Sequence, residues 1–242
     1  MTPTMKRLPI DVWSDIACPW CFVGKRRLEA ALDKFAHKEA VDVTWRAFEL
    51  DPSAPKVRDS SVSYAERLAK KYGVSVEEAQ GMIANMTQVA RNDGLDFHFE
   101  RVRSGNTFDA HRVLHLAATK GTKAQDAMKE RLLLAYMTEG EAIGEHEVLV
   151  RLAWEAGLDA NEVRAMLATD RYASNVRAEE RDAQQLGIRG VPFFVIGEKY
   201  AVSGAQPAEL LLGALEKAWA ELVVAPDAAH DPGVVCGPDG CS

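Results

Sequence analysis

The chain has 242 residues and a formal net charge of −7, and hydrophobic residues make up 47% of it, enough to bury a core without help from disulfides. No basic patch is dense enough for a phosphate backbone, which sets nucleic acid aside, and no stretch approaches the ~18 apolar residues of a membrane span. The N-terminal apolar stretch is interrupted by Asp11 and Asp15, so no secretory leader is read and the expected location is cytoplasmic.

In chain order, Leu8, Ile10 and Val12 alternate with Pro9 and Asp11, which predicts a short strand ending near Trp13. Leu28, Ala31, Leu32 and Phe35 recur at helical spacing, which predicts a helix over 18–35. Residues 41–47 alternate again and predict a second strand. The first fifty residues therefore read β-α-β, and 51–55, rich in proline, end the unit.

From 61 to 187 the pattern is almost wholly helical. Ser63 with Glu66 and Ser75 with Glu78 match the capping box. Gly73, Gly94, Gly121, Gly140, Gly157 and Gly187 stand where helices stop, giving about six helices. Residues 95–99 alternate but are short. Then 191–196 reads as a strand with a proline near its start. Residues 197–199 make a tight turn and 200–202 return as a hairpin partner. Pro207 opens a last helix reaching roughly Leu222. The tail from Ala225 carries Pro226, Pro232, Gly233, Gly237, Pro238 and Gly240 and reads as irregular. The order β-α-β, helical block, α-β-β-α and tail makes a small α/β sheet domain in two pieces around an all-helical insertion.

Four cysteines form two close pairs, Cys18/Cys21 and Cys236/Cys241. Cys18-Pro19-Trp20-Cys21 opens the first helix. Thiol–disulfide exchange needs a thiolate, and a free thiol has a pKa of about 8.5. A helix N-terminus favours an anion through its unpaired N–H groups and its dipole. With Cys18 at the N-cap and Pro19 at the first helical position, the N–H groups of Trp20 and Cys21 would face the Cys18 sulfur and lower its pKa. Cys21, one turn on, is placed to resolve a mixed disulfide, and Trp20 offers substrate an apolar contact. The other readings of the pair are a zinc half-site or two ordinary buried thiols. Val191-Pro192, just after Gly190, suits a cis bond packed against the pair, leaving the Val191 backbone for an incoming peptide; the alternative is a trans proline that merely starts a strand.

These residues carry a resemblance. The stretch from Trp13 to Gly24, the segment Gly190-Val191-Pro192-Phe193-Phe194, the run from Asn106 to Arg112 and the C-terminal Cys236-Gly237-Pro238-Asp239-Gly240-Cys241 together resemble the DsbA-like oxidoreductases, and within them the FrnE-like cytoplasmic branch. The resemblance spans nearly the whole chain. It implies a thioredoxin-like fold (6–55 and 188–224) with a large helical insertion (56–187) and a tail (225–242). It implies disulfide oxidoreductase and isomerase activity on protein thiols and disulfides, with a role in oxidative stress, glutathione or thioredoxin as further partners and no cofactor. It maps the nucleophile to Cys18, the resolving thiol to Cys21 and the cis-proline to Pro192. The chain is expected as a monomer or homodimer. The related 2-hydroxychromene-2-carboxylate isomerases and kappa-class glutathione transferases usually have serine at the first position, a pattern from which this chain departs; Asn106 and His111 look shared with them.

Cys236 and Cys241 enclose a strong turn, Gly-Pro-Asp-Gly, which brings two cysteines within disulfide range. Three readings stand: a shuttle passing oxidising equivalents to or from Cys18/Cys21, a static disulfide, and a four-thiol metal site. Asp15 is either a general base for Cys21 or a loop-capping carboxylate. Lys25, Arg26 and Arg27 either lower the Cys18 pKa or line a solvated helix face. His111 and His115 have a metal-compatible spacing but read as an ordinary helix face, and Trp13 and Trp45 as core. The rival functions are a glutathione-dependent isomerase or transferase and a non-enzymatic chaperone or metal-binding protein.

Overall fold

The computed structural model describes residues 6–56 and 61–224. Strand β1 (Leu8–Ser14) lies beside β2 (Val41–Ala47), parallel to it, with Leu8 opposite Val41 and Ser14 opposite Ala47. Parallel neighbours need a crossover to bring the chain back, and α1 (Pro19–Lys34) supplies it. On the other side of β1, β3 (Phe193–Ile196) and β4 (Tyr200–Ser203) form an antiparallel hairpin, giving the sheet order β2-β1-β3-β4.

Between β2 and β3 the described chain is helical: α2 (Tyr64–Tyr72), α3 (Val76–Asn92), α4 (Phe108–Ala118), α5 (Thr122–Leu134), α6 (His146–Glu155), α7 (Ala160–Leu167) and α8 (Ala173–Gln185). The last helix, α9 (Ala208–Val224), returns to the sheet. The fold is α/β, a thioredoxin-like sheet carrying a helical insertion. Both capping boxes form, on Ser63/Glu66 and Ser75/Glu78, and all six glycines predicted as helix stops have positive φ. Seven α-helices replace the expected six, because α7 and α8 part at Thr169–Tyr172 without a glycine; Tyr172 itself takes φ 65°. Residues 95–99 form no strand. Leu95, Phe97 and Phe99 instead point into the helical core.

The strand alternation sorts the sheet's two faces. Leu8, Ile10 and Val12 pack with Leu28 and Phe35 of α1 and Leu211 and Leu215 of α9. Trp13 faces the other way, toward Ala183 and Ile188. Edge strand β2 would leave Trp45 backbone groups unpaired. Gln125 of α5 pairs them with its amide, accepting from Trp45 N at 3.0 Å and donating to Trp45 O at 2.9 Å. Helix α1 serves both cores: its C-terminal half packs on the sheet, while Phe22 and Val23 enter the helical core, Phe22 stacking on Phe97 at 5.8 Å. Among the described residues no helix is long and apolar enough to cross a membrane.

The expected solvated face of Lys25, Arg26 and Arg27 is absent. Lys25 is 2% exposed and meets Glu29 at 2.5 Å and Asp126 at 3.1 Å; Arg26 pairs with Glu29 and Glu130; Arg27 pairs with Asp93 at 2.9 Å. These cations clamp α1 to α5 and to the end of α3, so their charge is neutralised away from Cys18.

Gly24 marks where α1 passes the β3 entry. A Cβ there would lie 2.8 Å from Pro192 Cγ. Gly24→Ala should gain up to about 1 kcal/mol in helix propensity but lose about 1–3 kcal/mol to overpacking against a rigid ring. The expected net result is a lower urea midpoint at an unchanged m-value.

Candidate active site

Strand β1 ends at Ser14, and the turn through Asp15, Ile16 and Ala17 delivers Cys18 to the N-cap of α1 with extended backbone and Pro19 at the first helical turn. Both cysteines are free thiols. Cys18 is 5% exposed and lines a cavity of about 920 Å³; Cys21 is fully buried behind it. Pro19 and Trp20 line the same cavity, with Trp20 42% exposed at its mouth. The Val191–Pro192 bond is cis, and the Cys18 thiol donates to the Val191 carbonyl at 3.5 Å. The structure thus brings Cys18, Cys21, Asp15, Pro19, Trp20, Val191 and Pro192 together. Cys236 and Cys241 lie outside the described residues.

Two details differ from the sequence reading. The Cys21 N–H donates to the Cys18 carbonyl at 3.0 Å, and although that N–H also favours a Cys18 thiolate, the neighbouring Cys21 sulfur and burial outweigh it. The thiol with the lowered pKa is Cys21. Burial opposes a thiolate there, but the hydrogen bond with Cys18 and the Lys129 charge outweigh it. Cys18 is pushed up by that same hydrogen bond and by burial. The two sulfurs therefore share a proton: one thiolate in the pair is favoured and a second is opposed. The helix-terminus argument missed this because it counts only what lies along α1, and Lys129 arrives from α5.

Lys129 is 0% exposed, donates to the Ser14 carbonyl at 3.3 Å and stands 5.6 Å over the Trp45 ring. Burial pulls its pKa down to about 8, although the charges of Cys21 and Asp15 favour its protonated form. Asp15, 1% exposed, accepts from Leu50 N at 2.8 Å and from Ala17 N at 3.4 Å, with His111 Nε2 3.4 Å from its Oδ1. Burial raises its pKa, but His111 and the Leu50 N–H overcome this and hold the carboxyl below its usual range. His115 turns to another carboxylate, Glu179, at 3.1 Å, so the two histidines do not converge. Trp13 and Trp45 are buried as expected, each with its indole N–H bonded, to Glu179 O and Asp126 Oδ1. Asn106 donates to Glu49 at 3.1 Å and accepts from Phe108 N at 2.8 Å, tying the loop after β2 to the start of α4.

The helical insertion adds a wall. Tyr64 and Arg67 of α2 and Tyr136, in a π-helical turn at Ala135–Glu139, line the cavity. Burial, first, and then the charges of Tyr136 and Cys18 push the Tyr64 phenol up. No local sequence signal marks these side chains, since their meeting with Cys18 depends on tertiary packing.

A family model, the DSBA-like thioredoxin domain, matches residues 9–216. The uncharacterized protein YwbO of Bacillus subtilis (strain 168) is 30% identical over 199 residues, 78% of this chain and 86% of that protein. A probable DsbA oxidoreductase from Streptomyces coelicolor superposes with a TM-score of 0.85 at 44% identity, covering 98% of this chain and 99% of that one. The cytosolic disulfide reductase DsbM from Pseudomonas aeruginosa, in a structure with GSH, shares the fold at a TM-score of 0.58 and 19% identity, covering 89% and 97%.

Lys129→Met should shift thiolate formation to higher pH. The ammonium favours the anion, so removing it favours the thiol. The check is the alkylation rate of the reduced chain against pH; an unchanged profile would remove Lys129 from the site's electrostatics.

Proposed function

The chain belongs to the DsbA-like thioredoxin-domain family of thiol–disulfide oxidoreductases, and from that premise we propose that it exchanges and isomerises disulfides in protein substrates through Cys18 and Cys21. The observation that carries this reading is the asymmetry of the pair: Cys18 opens on the cavity beside the Val191 carbonyl, while Cys21 is sealed behind it next to a buried cation. Access assigns the attack to Cys18.

A Cys18 thiolate forms, its proton resting with Cys21, and attacks one sulfur of a substrate disulfide. A bond forms between Cys18 and that sulfur, and the second substrate sulfur leaves as a thiolate and takes a proton from water. Cys21 then attacks the Cys18 sulfur, and its proton passes to the departing first substrate sulfur. The Cys18–Cys21 bond forms and the first substrate sulfur departs. Substrate has gained two electrons and the chain has lost two; the reverse order oxidises a substrate dithiol. Lys129 favours the Cys21 thiolate in the second step. Asp15, already low in pKa, is poorly matched to accept a thiol proton, and we assign it to holding the loop at Leu50 and the His111 ring rather than to a proton relay.

The pair Cys236/Cys241 is proposed as a shuttle. Trp219 of α9 packs on Phe35 and His37 at the far end of α1, and α1, at ~1.5 Å per residue, is about 24 Å long. The segment from Val224 to Cys236 spans up to about 40 Å if extended, enough to return to Cys18. The resemblance to FrnE-like proteins supports a role in oxidative-stress protection. A glutathione-dependent isomerase needs no second thiol, so Cys21 separates it from the exchange reading.

Cys18→Ser should lower reduction of a protein disulfide by more than about 10³-fold, whereas Cys21→Ser should accumulate a mixed disulfide with substrate, visible by mass under non-reducing conditions. Full steady-state activity in Cys21→Ser would favour the isomerase. A chain ending before Cys236 should turn over more slowly with unchanged single-turnover chemistry; equal steady-state rates would remove the shuttle.

A further inference from the structure

The cavity beside Cys18 is walled by α2 and α3, and its surface does not match a small thiol. The described residues leave eleven large hydrophobic side chains exposed, and five of them, Trp20, Leu50, Val62, Tyr72 and Met82, line this cavity. Exposed apolar side chains scattered singly need no explanation, whereas a cluster marks a surface that is covered in use. At about 920 Å³ the space stands near the top of the ~300–1,000 Å³ range of small-molecule sites.

The α2 side of the same cavity gathers cations, beside the acids Asp15, Asp51 and Glu66 that also line it, in a chain whose net charge is −7. Arg67, Lys70 and Lys71 share one face of α2 and line the cavity. Among the described residues none of the three meets a carboxylate: Arg67 donates to the Val62 carbonyl, its Nε is buried without a partner, and Lys71 lies over the Tyr72 ring. The nearby acids are engaged, Glu66 by its capping box with Ser63, Asp15 by Leu50 and His111, and Asp51 by Ser53. The groove thus presents to whatever sits on Cys18 an apolar surface and, along α2, three cations that form no ion pair with a carboxylate of the described residues.

We propose that the α2–α3 hairpin selects polypeptide substrates in which the reactive cysteine is flanked by an apolar side chain and by carboxylates. The apolar side chain covers the Trp20, Tyr72 and Met82 surface, and the carboxylates meet Arg67, Lys70 and Lys71. This rests on the exchange reading of Cys18 and Cys21 and names the substrate class for it.

The test uses the full chain and short peptides whose cysteine is replaced by alanine, so that binding is read without chemistry. One peptide carries leucine beside that position with glutamates flanking it, and its twin carries lysines instead. Calorimetry or anisotropy should give tighter binding of the glutamate peptide by about 5- to 10-fold at low salt, as expected for several exposed ion pairs, shrinking as salt rises. Arg67→Glu with Lys71→Glu should reverse the preference. Leucine→serine in the peptide should weaken binding in either background. Equal affinity for the twins in the unaltered chain, a preference indifferent to salt, or binding of oxidised glutathione but of neither peptide would overturn the proposal. Reduction of hydroxyethyl disulfide by the same protein tests the exchange reading separately: its absence would remove that reading whatever the peptides do.

Discussion

Asp15 sits where β1 ends, where the loop after β2 passes and where α4 presents His111, and its carboxylate is taken out of water at that junction. A buried carboxylate is tolerated only when its oxygens are bonded and its charge is met. Leu50 N, Ala17 N and His111 do this from three different segments. The turn that delivers Cys18 to the N-cap of α1 is therefore pinned by contacts from both the sheet and the helical insertion. Lys129 repeats the pattern with opposite sign, entering from α5 to stand against the Ser14 carbonyl. The two buried charges make the insertion a part of the site's electrostatics, and they explain why the lowered thiol is the hidden one.

The same joint is held from outside by ion pairs. Lys25 is buried among Glu29, Asp126 and Glu130, and Arg26 completes the set. Removing one member of such a partly buried cluster leaves charge unpaired, which costs more than the net value of any one pair. Gln125 and Asp126 of α5 bond Trp45 of β2, so α5 touches the edge strand and α1 while its Lys129 bonds the Ser14 carbonyl and acts on Cys21 through its charge. Movement of α5 would disturb Lys129 and the register of β2 together.

Much of this was legible in the sequence because it is local. The strand alternation, the CxxC at a helix start, the two capping boxes and the positive-φ glycines are short-range signals, and each maps onto the structure. The cis bond at Pro192 was legible only in combination with Cys18-Pro19-Trp20-Cys21. What escaped depends on packing. The α7–α8 break has no glycine because Tyr172 takes the left-handed turn itself. Residues 95–99 alternate like a strand because loop residues also alternate between core and solvent. Lys129, followed by Glu130 and Arg131, reads as one more surface charge on a helix, and Lys25 likewise. Nothing in the local pattern tells a lysine that ends in the core from one that ends in water. The cavity wall of Tyr64, Arg67 and Tyr136 is assembled from segments distant in sequence and has no motif.

The account stands on Cys18 and Cys21 acting as one two-electron couple. The direct measurement is to equilibrate the full chain in glutathione buffers of graded potential, quench with acid, alkylate, and assign each cysteine by mass. The account predicts that Cys18 and Cys21 pass together from two thiols to one shared disulfide, with a tenfold change in ratio for each ~30 mV. Two thiols that persist across the whole range, or a stable glutathione adduct on Cys18 while Cys21 stays reduced, would contradict it.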